Sequence, residues 1–126
     1  MIADDSGSGV ARLARRWVLA RVTGPSMSPT LRHGDRLLVR RVRPEQPVPR
    51  GAVVLARFPS RPDLLVVKRV ERADPGGSWV VGDNSLVADD SRKYGPAVPV
   101  GRVVARLWPR PGPIPGPPSD VGDLLG

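Results

Sequence analysis

Apolar residues occur along the chain in short runs of strand length, and Gly, Pro and Asp turn signals separate the runs. This pattern predicts strands at Trp17–Val22, Arg36–Arg41, Ala52–Arg57, Leu64–Glu71, Trp79–Val81 and Arg102–Leu107. Only Val10–Arg16 suggests a helical turn, and no segment keeps a helical period for longer. The predicted fold is therefore mainly β, a small folded-over sheet or open barrel.

Length and composition predict one domain, because 126 residues with 40% apolar content can bury a single core. Residues 1–10 are small and polar, which predicts a disordered leader. The predicted strands all lie within residues 11–108. From Pro109 onward the chain is rich in Pro and Gly, so residues 109–126 are predicted to form a flexible tail.

The use of cysteine and histidine excludes several kinds of site. The chain has no cysteine, and therefore no disulfide, thiolate nucleophile or thiolate metal ligand. His33 is the only histidine, which leaves no histidine metal cluster. We expect no metal and no cofactor. His33 precedes a Gly-Asp turn and is predicted to be a surface residue rather than a catalytic one.

Hydropathy predicts a soluble, cytoplasmic protein. The longest apolar runs, such as Leu64–Val67, are far shorter than the roughly 20 residues that cross a bilayer, so no transmembrane anchor is expected. The N-terminal sequence MIADDSGSG lacks the basic and then apolar regions of a signal peptide. The basic segment Ala11–Val22 offers an alternative, weak attachment to a membrane surface.

The formal net charge of +8 favours anionic partners in general. The arginines are nevertheless scattered along the sequence, and the few aromatic residues are too dispersed to form a stacking platform for bases. No nucleic-acid partner is therefore expected. A basic binding module without catalytic activity remains an alternative.

The segment GPSMSPTL places one serine on a stiff loop, because prolines disfavour a helix at and before their own positions. Taken alone, this segment is also typical of an ordinary turn. A serine becomes a nucleophile when a base removes its proton. With no cysteine and one histidine, a neutral lysine is the candidate base for Ser26.

Lys68 and Lys93 are the only lysines. Lys93 lies in the polar segment SRKYG, where it should stay solvated. Strand alternation places Lys68 on the same face as Val66 and Val70, where burial lowers the pKa of an amine. To be neutral near pH 7 its pKa must fall by roughly 3 from about 10.4, at a cost on the order of 4 kcal/mol. Taken alone, the strand also fits a Lys68 whose ammonium extends into water.

Three segments, taken together, resemble the sequence boxes of the type I signal peptidase family. They are GPSMSPTLRHGDRLLV for the serine box, DLLVVKRV for the lysine box and VVGDNSLVADDSRKYGPAV for the Gly-Asp-Asn…Asp-Ser-Arg box. The resemblance implies a signal-peptidase-like β fold and peptide-bond hydrolysis through an acyl-enzyme. It also implies that Ser26 is the nucleophile and Lys68 the general base, with the Ser26 backbone N–H stabilising the oxyanion.

The chain departs from the family pattern at two positions. Some members carry a hydroxyl two residues before the nucleophile, where this chain has Gly24, so main-chain groups are expected to line the oxyanion site. Many members orient the lysine with a serine at the position of Ala88, so the sequence leaves open what holds the lysine. Met27 is expected either to line the substrate cleft or to fill the core. Structural support of the site is expected from Asp83, Asn84, Asp90 and Arg92.

A short chain with an aliphatic residue at that lysine-orienting position resembles, within the family, the maturation proteases of nickel-type superoxide dismutase. This resemblance implies a single protein substrate, the dismutase precursor, from which an N-terminal extension is removed. Nickel would then belong to the substrate and not to this chain. The alternative within the same chemistry is a membrane-associated signal peptidase that acts on secretory precursors.

Overall fold

A computed structural model describes residues 10–43, 45–87 and 89–117. Its elements are β1 (Val10–Ala14), β2 (Trp17–Arg21), β3 (Arg36–Arg41), β4 (Val53–Phe58), β5 (Arg61–Asp74), β6 (Gly77–Val81), α1 (Ser91–Tyr94), β7 (Val98–Trp108) and β8 (Gly112–Pro113). The prediction of a mainly β domain is confirmed. Each predicted strand overlaps an observed one, and the bounds of β3 agree at both ends.

The strands form one antiparallel sheet in the order β1-β2-β3-β7-β4-β5-β6, and β8 pairs with β7. The sheet is open, since β1 and β6 form its two ends. The long strand β7 joins the two halves of the sheet: its first part pairs with β4 and its later part with β3. Gly101 lies where both pairings meet, and a Cβ there would be 2.3 Å from Cγ1 of Val39, so this crossing requires glycine.

Two apolar clusters form the core. One contains residues of β2, β3 and the serine turn, including Leu37 and Met27, and the other contains residues of β4 and β6. Strands β4 and β5 contribute to both clusters: in β5, Val67 packs into the first cluster and Val66 into the second. Residues 65–70 are consequently all buried, as in a strand that is covered on both faces.

Two local predictions differ from the structure. The predicted helical turn at Val10–Arg16 is wrong, because residues 10–14 pair with β2 as strand β1. The predicted flexible tail begins too early. Residues 112–113 pair with β7, and Ile114 packs against the core. Within the long loop predicted after β6, Asp90 caps the one-turn helix α1. Residues 1–9 and 118–126 lie outside the described residues, so a disordered leader and a flexible end remain predictions.

Candidate active site

Ser26 lies in the turn segment that connects β2 with β3. The base of this connection is closed by the N–H of Val22, which donates to the Asp35 carbonyl at 2.8 Å. Inside it, the Ser28 N–H donates to the Pro25 carbonyl at 3.0 Å, which forms a tight turn around Ser26. The turn buries Ser26 completely. The two prolines of GPSMSPTL therefore flank a serine that faces the interior.

Lys68 lies within the buried part of β5, and its relative exposure is 0%. It shares a face with Val66 and Val70, as strand alternation predicted. The alternative in which its ammonium extends into water is therefore wrong, because both faces of β5 are covered at this point.

Two buried side-chain atoms have no hydrogen-bond partner within residues 10–43, 45–87 and 89–117: Oγ of Ser26 and Nζ of Lys68. The great majority of buried polar side-chain atoms in proteins are hydrogen-bonded, and an unpaired one costs about 1–3 kcal/mol. The two exceptions are the serine and the lysine that the sequence pairs as nucleophile and base.

Gly82 shows how close the serine turn and Lys68 lie. A Cβ on Gly82 would be 2.6 Å from the Ser26 carbonyl oxygen and 3.5 Å from Lys68 Nζ. The main chain of Ser26 and the amine of Lys68 thus approach the same point from different elements. Any side chain larger than a hydrogen at position 82 would occupy the space between them.

The surroundings of Lys68 favour a neutral amine through burial and not through nearby charges. Burial lowers the pKa of Lys68, and the negative charges of Asp90 and then Asp89 partly oppose this effect. Asp90 is itself fully buried. Although burial acts to raise the pKa of Asp90, hydrogen bonds from Arg92 and from the Gly82 N–H lower it on balance, so this carboxylate stays charged.

Asn84 attaches the loop after β6 to the serine turn. Its N–H donates to the Ser26 carbonyl at 2.9 Å, and its Nδ2 donates to the Pro25 carbonyl at 3.0 Å. Asp90 holds the same loop from its other end. The Asp90 carboxylate accepts hydrogen bonds from the Gly82 N–H at 3.1 Å and from Nη2 of Arg92 at 2.8 Å.

Asp83 joins the serine turn to β5 through a buried ion pair. Its carboxylate accepts hydrogen bonds from Nε and Nη2 of Arg69 at 2.8 and 2.7 Å, and from the Thr30 hydroxyl. Arg69 also donates to the carbonyls of Gly51 and Pro115. The four loop residues predicted as supports, Asp83, Asn84, Asp90 and Arg92, thus all make contacts that brace the turn, β5 or the loop itself.

Met27 and Gly24, which were predicted near the substrate cleft, make contacts elsewhere in the structure. Met27 is fully buried in the core cluster, as in the core-filling alternative, and its Sδ accepts a hydrogen bond from the Asp83 N–H at 3.4 Å. Gly24 has a φ of 88°, and its N–H donates to Nδ1 of His33 at 3.0 Å. The Gly24 N–H is therefore engaged away from an oxyanion site. Ala88 lies outside the described residues.

Sequence reasoning missed four residues of this region: Thr30, Arg69, Gly82 and Ser91. Thr30 and Arg69 bind Asp83, and the Ser91 hydroxyl accepts a hydrogen bond from the Val80 N–H at 2.8 Å. An arginine within the apolar run LLVVKRV was a usable signal, because a buried guanidinium requires an anionic partner. For Thr30 and Gly82 the sequence carries no such signal, since their contacts depend on tertiary packing.

Within the described segments, no three His, Cys, Asp or Glu residues are grouped closely enough to hold a metal ion. The same segments contain no helix with the length and hydropathy of a membrane span.

Comparison with protein families shows that residues 4–104 match the model named Peptidase S24-like. The chain belongs to this family. Among the relatives of this chain, "Mitochondrial inner membrane protease subunit 1" from Xenopus tropicalis is 32% identical over 69% of the chain. The protein of the same name from Schizosaccharomyces pombe is 36% identical over 71% of the chain. "Mitochondrial ATP-independent inner membrane protease subunit 1a" from Arabidopsis thaliana is 35% identical over 70% of it.

The chain spans 66% of the length of the Xenopus relative and 72% of the length of the Schizosaccharomyces relative. These comparisons confirm the prediction that the chain belongs to a peptidase family. They contradict two narrower predictions, a soluble enzyme dedicated to the nickel superoxide dismutase precursor and a cytoplasmic location, because the relatives are named as inner membrane proteases. The names agree better with the alternative, a membrane-associated peptidase.

Proposed function

We propose that this chain is a serine endopeptidase that cleaves precursor polypeptides at a membrane, with Ser26 as nucleophile and Lys68 as general base. The observation that carries the proposal is the burial of Ser26 Oγ and Lys68 Nζ without hydrogen-bond partners among the described residues. The membrane as the place of action is supported by the names of the relatives.

In the proposed reaction, Ser26 Oγ attacks the scissile carbonyl while the neutral amine of Lys68 accepts the hydroxyl proton. Lys68 then returns the proton to the leaving amine, and an acyl-enzyme forms on Ser26. A water molecule, deprotonated by Lys68, hydrolyses the acyl-enzyme and restores the serine.

The oxyanion requires a hydrogen-bond donor near Ser26. We assign this role to the Ser26 N–H, since the Gly24 N–H is occupied by His33. Both reacting side chains are fully buried, so a substrate carbonyl reaches Ser26 only after it displaces the segment that covers the turn. The loop of Asp83 and Asn84 is our candidate for that movement, because Asn84 donates hydrogen bonds directly to the carbonyls of Ser26 and Pro25.

The test is cleavage of a membrane-anchored precursor by the wild type, Ser26→Ala, Lys68→Ala and Lys93→Ala, with the product N-terminus read by mass spectrometry. Lys93→Ala is the matched control, because Lys93 is exposed and pairs with Asp89 at the surface. We expect cleavage by the wild type and by Lys93→Ala only. Cleavage by Lys68→Ala at the wild-type rate would refute the assigned dyad.

A further inference from the structure

Five arginines surround a groove at the end of the sheet that lies opposite the serine turn. The groove has a volume of about 550 Å³ and is formed by the β1–β2 turn, the end of β3 and the segment that follows β3. The arginines of its lining are Arg15, Arg16, Arg40, Arg41 and Arg43. These residues define the arginine groove.

None of these five guanidinium groups has an ion pair or an acceptor within the described residues, whereas Arg69 and Arg92 have carboxylate partners. Glu45, two residues beyond Arg43, does not line the groove but a neighbouring cavity. Like charges around one concavity repel one another and attract counter-charge. The arginine groove therefore favours an anionic ligand, and guanidinium groups suit planar oxyanions such as carboxylates.

The shape and lining of the groove favour an acidic polypeptide over a membrane or a nucleic acid. Apolar side chains that enter the bilayer strengthen peripheral membrane binding, but among the described residues Val42 is the only apolar one in the lining. Single-stranded nucleic acid binds through stacking on aromatic rings, and the part of the lining that the structure describes contains no aromatic residue. A peptide in extended conformation fits a groove and presents carboxylates at intervals along it.

The position of the groove relates it to the candidate active site. Strand β2 starts at Trp17, next to the groove residue Arg16, and ends at Arg21, close to the serine turn. Strand β3 runs back from the turn to Arg40 and Arg41. At about 3.3 Å per residue, β2 spans roughly 16 Å, the reach of about five residues of an extended peptide.

We propose that the arginine groove binds an acidic segment of the substrate, rich in Asp and Glu, about five or more residues from the scissile bond. The inference rests on the proposed function, because it treats the bound segment as part of the polypeptide that Ser26 cleaves. It adds a specificity determinant outside the catalytic residues.

Direct binding tests the groove without catalysis. The full chain carrying Ser26→Ala is titrated into a fluorescent glutamate-rich peptide and into its glutamine counterpart, and anisotropy is recorded at low and high salt. The groove variant adds Arg16→Gln, Arg41→Gln and Arg43→Gln. The matched control adds Arg50→Gln, Arg61→Gln and Arg72→Gln, which remove the same charge from exposed positions elsewhere.

We expect Ser26→Ala to bind the glutamate peptide in a salt-sensitive way. The Kd should be about tenfold higher for the groove variant and should stay within about twofold for the control variant. Equal binding of both peptides, or an equal loss in the control, would overturn the proposal. The proposal would also be overturned if the protein bound anionic vesicles through the groove but bound neither peptide. Thermal unfolding of each variant verifies that it is folded.

Cleavage kinetics then separate this proposal from the proposed function. With catalytically intact protein, a precursor that carries an acidic run should have a KM about tenfold lower than its amide counterpart, and the three groove substitutions should abolish this difference at unchanged kcat. Cleavage of both precursors with equal KM would overturn the groove and leave the dyad intact. Peptide binding without cleavage by the wild type would contradict the dyad and leave the groove supported.

Discussion

Lys68 and Arg69 are consecutive buried residues of β5, and only Arg69 has an anionic partner. Alternation along the strand directs their side chains to opposite faces of the sheet. Arg69 forms a two-point ion pair with Asp83, so its charge is balanced. Nζ of Lys68 has no hydrogen bond among the described residues. Strand β5 therefore holds a charged Arg69 on one face, whereas the opposite face disfavours a charged Lys68.

Replacing Lys68 by methionine should stabilise the protein and abolish its activity. Methionine keeps most of the volume of lysine and removes an unpaired buried polar group, so the free energy of unfolding at pH 7 should rise by about 1–3 kcal/mol. Urea denaturation measures this change. Lys93→Met, at an exposed position, should change stability by less than about 0.5 kcal/mol. A loss of stability in Lys68→Met would contradict the inference that the amine is buried without compensation.

Arg69→Met should have the opposite effect on stability. It leaves the carboxylate of Asp83 buried without its ion-pair partner, at a cost of about 3–5 kcal/mol. The double variant Arg69→Met/Asp83→Leu removes both charges and should recover most of that loss. Thermal or urea unfolding of the two variants tests this expectation. If the double variant is no more stable than Arg69→Met, the pair is not the source of the cost.

Activity and stability should both rise with pH because of Lys68. Its pKa is lower in the folded chain than its ordinary value of about 10.4. At pH values between the folded and the unfolded pKa, the unfolded chain binds more protons than the folded one. The free energy of unfolding therefore increases with pH across that interval and decreases as the pH falls through it. The rate kcat/KM should rise as the folded amine loses its proton.

Asp89→Asn probes the same titration. The Asp89 carboxylate raises the pKa of Lys68, so its removal should move the rising limb of kcat/KM to lower pH. Asp63→Asn, which removes an exposed carboxylate in β5, is the control and should leave the limb in place. A limb that moves to higher pH in Asp89→Asn would argue that a group other than Lys68 is the base.

Gly82→Ala should strongly reduce catalysis, whereas an alanine at a glycine distant from the site should not. The added Cβ would lie 2.6 Å from the Ser26 carbonyl oxygen, so the serine turn and the segment that follows β6 must move apart. Misplacement of a nucleophile by about 1 Å can lower the rate about 100-fold, and we expect kcat to fall by at least that factor. Gly116→Ala, where a Cβ meets no atom within 4 Å, should retain full activity.

His33 should act as a positioning residue for the serine turn, because its Nδ1 accepts the Gly24 N–H two residues before Ser26. His33→Ala removes the acceptor, and we expect kcat to fall about tenfold with little change in KM. His33→Asn offers Oδ1 at a similar place and should restore most of the activity. Equal kcat values for His33→Ala and the wild type would show that the hydrogen bond does not position the nucleophile.

The strands were predictable where local signals agreed with packing. Arg36–Arg41 lies between turn signals and is half-buried, so alternation located it at both ends. Strand β5 extends beyond the predicted Leu64–Glu71 because its ends pair with neighbours that no local pattern indicates. The same reason explains β1, whose residues suggest a helical turn in isolation but form a strand by pairing with β2.

By itself, the sequence determined the chemistry that is available: one stiffly held serine, two lysines, one of them in an apolar strand, and no thiol. It also determined the strand periodicity, which places Lys68 among aliphatic side chains. Tertiary structure alone decided that both faces of β5 are covered, that Arg69 meets Asp83, and that Gly82 admits the serine turn beside the lysine. These outcomes arise from contacts between residues far apart in the chain, and the burial and charge balance that set the pKa of Lys68 exist only once those contacts form.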